Sequence, residues 1–162
     1  MPKKATAEDA QIIMKLYDLR REAEMRKARA WFAGFWPRSA EEVVHVVNAA
    51  GSQENAWLRQ VSGYWEMASS LVLRGALNEE LFFDSGGELW FSIAKVYPFL
   101  KDIREKAQAP YYFRHSEKLV TRTKDGRERL QMMLKRAEAR RAAVAKASQG
   151  PRASLTLRAR RP

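Results

Sequence analysis

The most regular feature of the sequence is a series of apolar stripes at helical spacing, separated by capping residues and turn signals. The first stripe consists of Ile12, Ile13, Leu16, Leu19 and Ala23. Charged residues occupy the other faces, which is the pattern of an amphipathic helix. Thr6 is a suitable N-cap for it. We predict that this helix continues until Gly34 and Pro37 end or bend it.

The middle of the chain carries the clearest helical pattern. We predict a helix over residues 53–74, with Ser52 as its N-cap and Gly75 after its C terminus. Its apolar stripe is Trp57, Leu58, Val61, Trp65, Ala68, Leu71 and Val72. Before this helix, residues 43–47 contain four valines, which would also suit a strand. Ser39 and Glu42, however, have the spacing of a capping box, so a short helix is favoured there.

Two further helices are predicted in the next thirty or so residues. Asn78 is a candidate N-cap for a short helix that ends near Phe83. Residues 88–107 carry one apolar face at helical spacing. Pro98 lies inside this segment and should kink or divide the helix, because proline removes a backbone donor and clashes with the preceding turn.

In the last part of the sequence, apolar residues become less frequent and polar residues predominate. Pro110 suits the first position of a helix that runs to about residue 122. Asp125 and Gly126 form a typical turn pair. Residues 127–146 are rich in good helix formers, and their apolar content decreases after Leu134.

These elements predict an all-α fold. We expect a compact array of about six helices over residues 6–123, a protruding basic helix over 124–147 and a disordered basic tail over 148–162. The chain has 162 residues and no cysteine, which excludes disulfides and thiolate metal sites. It shows no signal peptide and no apolar stretch of membrane-spanning length. We therefore expect a cytoplasmic protein.

The positive charge is concentrated in the last third of the chain. Residues 111–162 contain 15 Lys and Arg against 4 Asp and Glu, which accounts for the net charge of +11. Such a segment suits contacts with phosphates, and it also suits a solvated helix with a solubilising tail. The candidate anion-binding residues are Arg129, Lys135, Arg136, Arg140, Arg141, Arg158, Arg160 and Arg161.

We predict that the aromatic residues belong mainly to the hydrophobic core. Residues 31–36 contain four large rings, and comparable groups occur at 57–65 and 82–91. Rings at helical spacing fill corners between helices. The alternative is an exposed apolar patch for a partner, to which residues 31–36 or the segment at Phe82 and Phe83 would contribute.

Few residues suggest catalysis or metal binding. Glu42 and His45 share a helix face, but a single pair of ligands does not hold a catalytic metal. We predict neither a metal nor a cofactor. Glu66 follows Trp65 on a helix that should be buried, so its carboxylate needs a partner. We predict an ion pair across helices with Arg74, Arg104 or Lys95, and we hold a catalytic acid as the lesser alternative.

Three stretches resemble an uncharacterised bacterial family of helical proteins, one of the catalogued domains of unknown function. They are residues 61–83 (VSGYWEMASSLVLRGALNEELFF), 87–91 (GELWF) and 98–105 (PFLKDIRE). The resemblance implies an all-α fold. It implies no activity, so no catalytic residue is carried over.

The sequence thus favours a non-enzymatic protein-binding or scaffold module that recognises a protein partner or a second copy of itself. The alternative is non-specific nucleic-acid binding, in which the basic C-terminal helix and tail contact phosphates. An enzyme with a site built from Glu66 and the aromatic groups is a third hypothesis.

Overall fold

The computed structural model describes residues 4–148, and within them the chain forms α-helices joined by short turns. The helices are α1 (Ala7–Arg21), α2 (Ala23–Gly34), α3 (Ala40–Asn48), α4 (Gln53–Leu73), α5 (Glu79–Asp84), α6 (Glu88–Val96), α7 (Leu100–Lys106), α8 (Arg114–Arg122) and α9 (Lys124–Ser148). No strand occurs in residues 4–148. The predicted all-α class is confirmed, but eight helices rather than about six precede residue 123.

The first predicted helix is divided in two at Glu22. The backbone of Glu22 is extended, with ψ of 144°, and its carboxylate accepts a hydrogen bond from the Met25 N–H at 2.9 Å. This carboxylate caps α2 and also meets the positive end of its dipole. The prediction of one helix up to Gly34 was wrong because a glutamate in the middle of a helical pattern carries no obvious stop signal.

Helix α4 has the predicted bounds to within one residue and lies at the centre of the fold. The Ser52 hydroxyl caps it by accepting from the Asn55 N–H at 3.1 Å, and Gly75 follows with a left-handed φ of 73°. α4 packs against α2, α3 and α8. α3 is helical as predicted, although Ser39 makes no side-chain capping bond.

The segment after α5 is divided where predicted, at Pro98. The turn Tyr97–Phe99 is a 3₁₀ helix that separates α6 from α7. Pro110, in contrast, does not begin α8, which starts at Arg114. Phe113 precedes it with a left-handed φ of 52° and a fully buried ring. Burial of this ring compensates for a backbone conformation that a non-glycine residue rarely adopts.

Helix α9 begins earlier than predicted and packs along much of its length. Asp125 and Gly126 belong to its first turn rather than to a separate turn. Leu130 and Ala137 are buried where α9 lies against α6 and α8. Residues 142–148 are mostly exposed, so the predicted protrusion applies only to this end of the helix. The predicted tail lies, apart from Ser148, outside the described residues.

Polar contacts connect the helices around the apolar core. Glu88 on α6 accepts hydrogen bonds from Arg29 on α2, with both N···O distances at 2.7 Å, and from Arg20 on α1 at 3.0 Å. Asp9 on α1 is buried and accepts from the Asn78 N–H at 2.9 Å. These bonds fix α1 against the start of α5 and against α6.

Candidate functional site

The outer face of α9 carries exposed positive charge. Lys135, Arg136 and Arg140 are exposed, as is Lys146 near the end of the helix. Within residues 4–148, no carboxylate forms a salt bridge with any of these four side chains. Three of the predicted anion-binding residues are therefore available for contact with an anionic molecule.

Two other predicted residues point inward. Arg129 pairs with Asp125 at 2.9 Å, and its guanidinium lies 5.2 Å from the centre of the Trp90 ring. Arg141 donates to the backbone oxygens of Pro37 at 2.8 Å and Lys95 at 2.7 Å. Both side chains hold α9 on the body of the fold. Arg158, Arg160 and Arg161 lie outside the described residues.

The most unusual polar group is the fully buried amine of Lys95. Its Nζ donates to the backbone oxygens of Ala33 at 3.0 Å and Phe35 at 2.8 Å, and also to that of Phe32. The Trp36 ring centre lies 3.9 Å away, and the rings of Phe32 and Phe91 are also close. Lys95 thus binds carbonyl oxygens at and just after the C terminus of α2, where the last oxygens of a helix lack their usual i+4 donor, and ring faces surround its amine.

The surroundings of Lys95 disfavour its charge. Burial, followed by the positive charges of Arg141 and Arg140, lowers the pKa of Lys95 from 10.5 to about 7. A low pKa is a property that allows a lysine amine to act as a nucleophile. Here, however, the amine is enclosed by three carbonyl oxygens and three rings, and its contacts hold α2 against α6. The sequence signal was a single lysine in the apolar run of residues 89–96.

Glu66 caps a helix and does not pair with Arg74, Arg104 or Lys95, although the Nδ1 atom of His115 also lies 3.1 Å from its Oε2. Its Oε2 accepts from the His115 N–H at 3.0 Å, and its Oε1 accepts from the Ser116 N–H at 2.8 Å. Both N–H groups lie in the first turn of α8, where backbone N–H groups have no acceptor within the helix. The predicted ion pair was wrong: Arg104 instead pairs with Glu117 at 2.7 Å. Because both oxygens are engaged, Glu66 has the geometry of a structural cap.

Glu42, which shares a helix face with His45, makes its contacts with Arg38. Glu42 accepts from Arg38, both from the backbone N–H and from the guanidinium, each at 3.0 Å. No group of three or more metal-ligating side chains occurs within residues 4–148. His45 is exposed.

The aromatic residues at 31–36 pack mainly among themselves and against neighbouring helices. Trp31 stacks on Phe35 with ring centres 5.0 Å apart, and Trp36 meets Phe91 edge to face at 5.7 Å. The core interpretation is therefore supported for this group. Phe82 is buried, but it forms part of the floor of a surface groove.

That groove, here called the α1 groove, is an apolar depression of about 270 Å³ between α1, α4 and α5. Its main walls are Ile13, Met14, Tyr17, Tyr64, Trp65 and Phe82. Met14 is 62% exposed and Tyr17 is 47% exposed, so two large apolar side chains stand in solvent at its edge. The indole N–H of Trp65 has no hydrogen-bond partner in the described chain.

The rim of the α1 groove is positively charged. The Arg20 guanidinium lies 5.3 Å from the centre of the Tyr17 ring and that of Arg21 lies 5.7 Å from it. Arg20 is paired with Glu88. Arg21 is exposed and forms no salt bridge with any residue between 4 and 148. The groove therefore combines an apolar floor with an available cation.

Most of the chain matches a known protein family. Residues 5–123 match the family model described as a domain of unknown function, DUF4760. This agrees with the resemblance seen in residues 61–105, and the match ends one residue before α9 begins. Neither the curated proteins nor the solved structures gave a match. Between residues 4 and 148, no helix has both the length and the apolar character that crossing a membrane requires.

Proposed function

The chain belongs to the DUF4760 family, and we propose that it acts as a non-enzymatic binding module that receives a segment of a protein partner in the α1 groove. The observation that carries this proposal is the pair of exposed side chains, Met14 and Tyr17, beside a floor of buried rings. Isolated exposed apolar residues are common on protein surfaces, but a contiguous apolar depression is typical of an interaction site.

The groove also defines the chemistry of its partner. An apolar side chain would fill the space between Met14 and Trp65. Arg21 at the rim favours a carboxylate close to that apolar side chain. The occupant is therefore a short protein segment with a large apolar residue and a neighbouring acidic residue.

Selection from a random peptide library tests this proposal. The wild-type protein should enrich peptides with one large apolar residue near an Asp or Glu, and Met14→Ser combined with Tyr17→Ser should weaken binding of a selected peptide at least tenfold. Arg21→Glu should weaken it as well. The matched control is Met67→Ser, because Met67 is also an exposed methionine but lies outside the groove.

The proposal fails if the groove variant enriches the same peptides as the wild type, or if Met67→Ser weakens binding as much as the groove substitutions do. Circular dichroism of each variant establishes that the fold is retained. Met14 and Tyr17 are exposed, so their replacement should change stability by less than about 0.5 kcal/mol.

A second candidate function is non-specific nucleic-acid binding by the outer face of α9. The observation that favours it is the set of exposed cations without a salt-bridge partner in the described chain, Lys135, Arg136, Arg140 and Lys146. A helix of 25 residues is about 37 Å long, enough to run beside several phosphates. Binding of this kind depends on charge and not on base sequence.

Fluorescence anisotropy with a labelled DNA duplex and an RNA strand tests this candidate. Binding should weaken steeply between about 50 and 200 mM salt. Replacement of Lys135, Arg136 and Arg140 by Gln should reduce both affinity and salt dependence. The control triple replaces Lys15, Arg59 and Lys101, which are also exposed, and changes the net charge equally. Equal effects of the two triples, or no binding at low salt, would exclude this function.

A further inference from the structure

A second depression, here called the α5 cleft, lies where the end of α4 and the start of α5 meet the junction of α8 and α9. Its volume is about 590 Å³. The apolar part of its lining is Val72, Leu73, Leu77 and Phe83. The cleft is larger than the α1 groove and lies on a different part of the surface. A ligand in the α5 cleft is therefore independent of the function proposed for the α1 groove.

The lining of the α5 cleft contains more carboxylates than cations. Three carboxylates line it, those of Glu79, Glu80 and Asp125, against the single guanidinium of Arg122. Arg122 pairs with Glu79 at 3.4 Å and Arg129 pairs with Asp125 at 2.9 Å. Glu80 is exposed and is the lining carboxylate that forms no salt bridge within residues 4–148. In a protein with a net charge of +11, an apolar cleft with the Glu80 carboxylate at its rim favours an occupant that is apolar and basic.

The sequence of this chain contains such a segment after the last described residue. Residues 149–162 contain Arg152, Arg158, Arg160 and Arg161 and no acidic residue, and they include Leu155 and Leu157. Side chains at positions i and i+2 lie on the same side of an extended strand. Two leucines at this spacing match the apolar lining of the cleft, and the flanking arginines match its rim.

Chain length decides whether the segment reaches the cleft of its own molecule. Asp125 lies in the cleft at the beginning of α9, and Ser148 ends that helix about 35 Å away. From Ser148, Leu155 lies at most about 25 Å along a fully extended chain, and Leu157 about 32 Å. The two leucines therefore cannot both return to their own cleft, whereas those of a neighbouring molecule can enter it.

We propose that residues 152–161 of one copy of this protein bind in the α5 cleft of a second copy, with Leu155 and Leu157 beside Leu73, which is the partly exposed apolar residue of its lining. The contact is heterologous, since it joins two different surfaces. In an open assembly one cleft and one C-terminal segment remain unoccupied at the two ends. The protein therefore forms head-to-tail oligomers, or a closed ring in which every cleft is occupied.

Sedimentation velocity of nuclease-treated full-length protein over a range of concentrations tests the proposal. The wild type should form oligomers that grow with concentration and dissociate at high salt. Leu155→Ser combined with Leu157→Ser should remain monomeric. Glu80→Lys should weaken association at least fivefold, while Glu105→Lys, an equal charge reversal at an exposed position on α7, should have no effect.

Mixing two variants gives the decisive result. One variant carries Leu73→Gln and Glu80→Lys in the cleft and keeps its C-terminal segment, and the other carries the two serines and keeps its cleft. Each alone should be monomeric, and a mixture should give a 1:1 heterodimer that does not grow further. If Leu73→Gln lowers stability, Glu80→Lys alone serves as the cleft variant.

The proposal is overturned if the wild type is monomeric at all concentrations, if the serine variant associates as the wild type does, or if the mixture contains only monomers. Each of these outcomes leaves peptide binding at the α1 groove unaffected, because that measurement uses a different surface.

Discussion

Lys95 illustrates how a single residue connects three parts of the fold. Its Nζ holds the end of α2 by bonds to the oxygens of Ala33 and Phe35, while its own backbone oxygen accepts from Arg141 on α9. Two cations thus share one buried region, and neither forms a salt bridge with a carboxylate among residues 4–148. Backbone carbonyls and ring faces replace the missing negative charge.

The low pKa of Lys95 predicts a pH-dependent stability. The pKa is about 7 in the folded protein and about 10.4 in an unfolded chain. Between these values the unfolded chain binds more protons, so the free energy of unfolding increases with pH by up to about 1.4 kcal/mol per pH unit. Urea unfolding at pH 7, 8 and 9 measures this slope.

The matched variants for this prediction are Lys95→Met and Lys101→Met. The first removes the buried titrating group and should reduce the slope, whereas the second removes an exposed lysine and should leave it unchanged. An identical pH slope in the wild type and in Lys95→Met would contradict the assignment of the slope to Lys95.

At the scale of elements, the junction of α8 and α9 depends on a close backbone approach at Gly126. A Cβ at this position would lie 2.6 Å from the backbone oxygen of Val120 and 3.0 Å from Oγ1 of Thr123. The Gly126 oxygen accepts from the indole N–H of Trp90 at 3.0 Å. Gly126 therefore fixes the angle at which α9 leaves α8 and passes over α6.

Gly126→Ala should destabilise the protein even though alanine is the better helix former. The clash is with backbone, which cannot rotate away, and overpacking of this kind costs about 1–3 kcal/mol. Gly63→Ala is the control, because Gly63 is exposed in α4 and a Cβ there would meet nothing within 4 Å.

The control should stabilise the protein by about 0.5–1 kcal/mol, as expected from helix propensity alone. Urea midpoints of the two variants give the comparison. If both substitutions were stabilising, the contact between Gly126 and Val120 would not constrain the junction.

At the scale of the whole molecule, the folded unit extends beyond the residues that match the family. The match ends at residue 123, yet Leu130 and Ala137 of α9 are buried and Arg141 bonds to the backbone of residues 37, 94 and 95. Burial of one leucine contributes about 1.5–3 kcal/mol. α9 thus packs on the body of the fold as far as Arg141, and only the residues after Arg141 extend into solvent.

A fragment of residues 1–123 should therefore lose stability severely. It would expose the surfaces of α6 and α8 that α9 covers and would leave the Trp90 indole N–H without its acceptor. We expect a melting temperature at least about 10 °C lower, or no cooperative transition, together with strong binding of a hydrophobic dye. A fragment of residues 1–148 keeps every described contact and should melt as the full chain does at a protein concentration too low for self-association.

Equal melting temperatures for residues 1–123 and 1–148 would show that the matched region folds without α9. Circular dichroism and tryptophan fluorescence followed on the same samples would separate loss of α9 alone from loss of the whole fold.

The sequence by itself determined the local structure wherever the relevant signal lies within a few residues. It predicted α4 with both of its caps, the Asn78 cap of α5, which accepts from the Leu81 N–H at 2.8 Å, and the division at Pro98. Capping bonds and the steric effect of proline act over one helical turn, and apolar periodicity marks the buried face. These signals therefore sufficed for the all-α class and for most of the helices.

Only the tertiary structure decided the partners of the buried polar groups. Glu66 meets N–H groups about fifty residues away, and Lys95 meets carbonyls about sixty residues away. It also decided that Arg129 and Arg141 turn inward while Lys135, Arg136 and Arg140 face outward. The local sequence pattern around an arginine or lysine is the same whether the side chain turns inward or faces solvent. Its direction depends on which backbone groups of distant helices lie beside it without a hydrogen-bond partner.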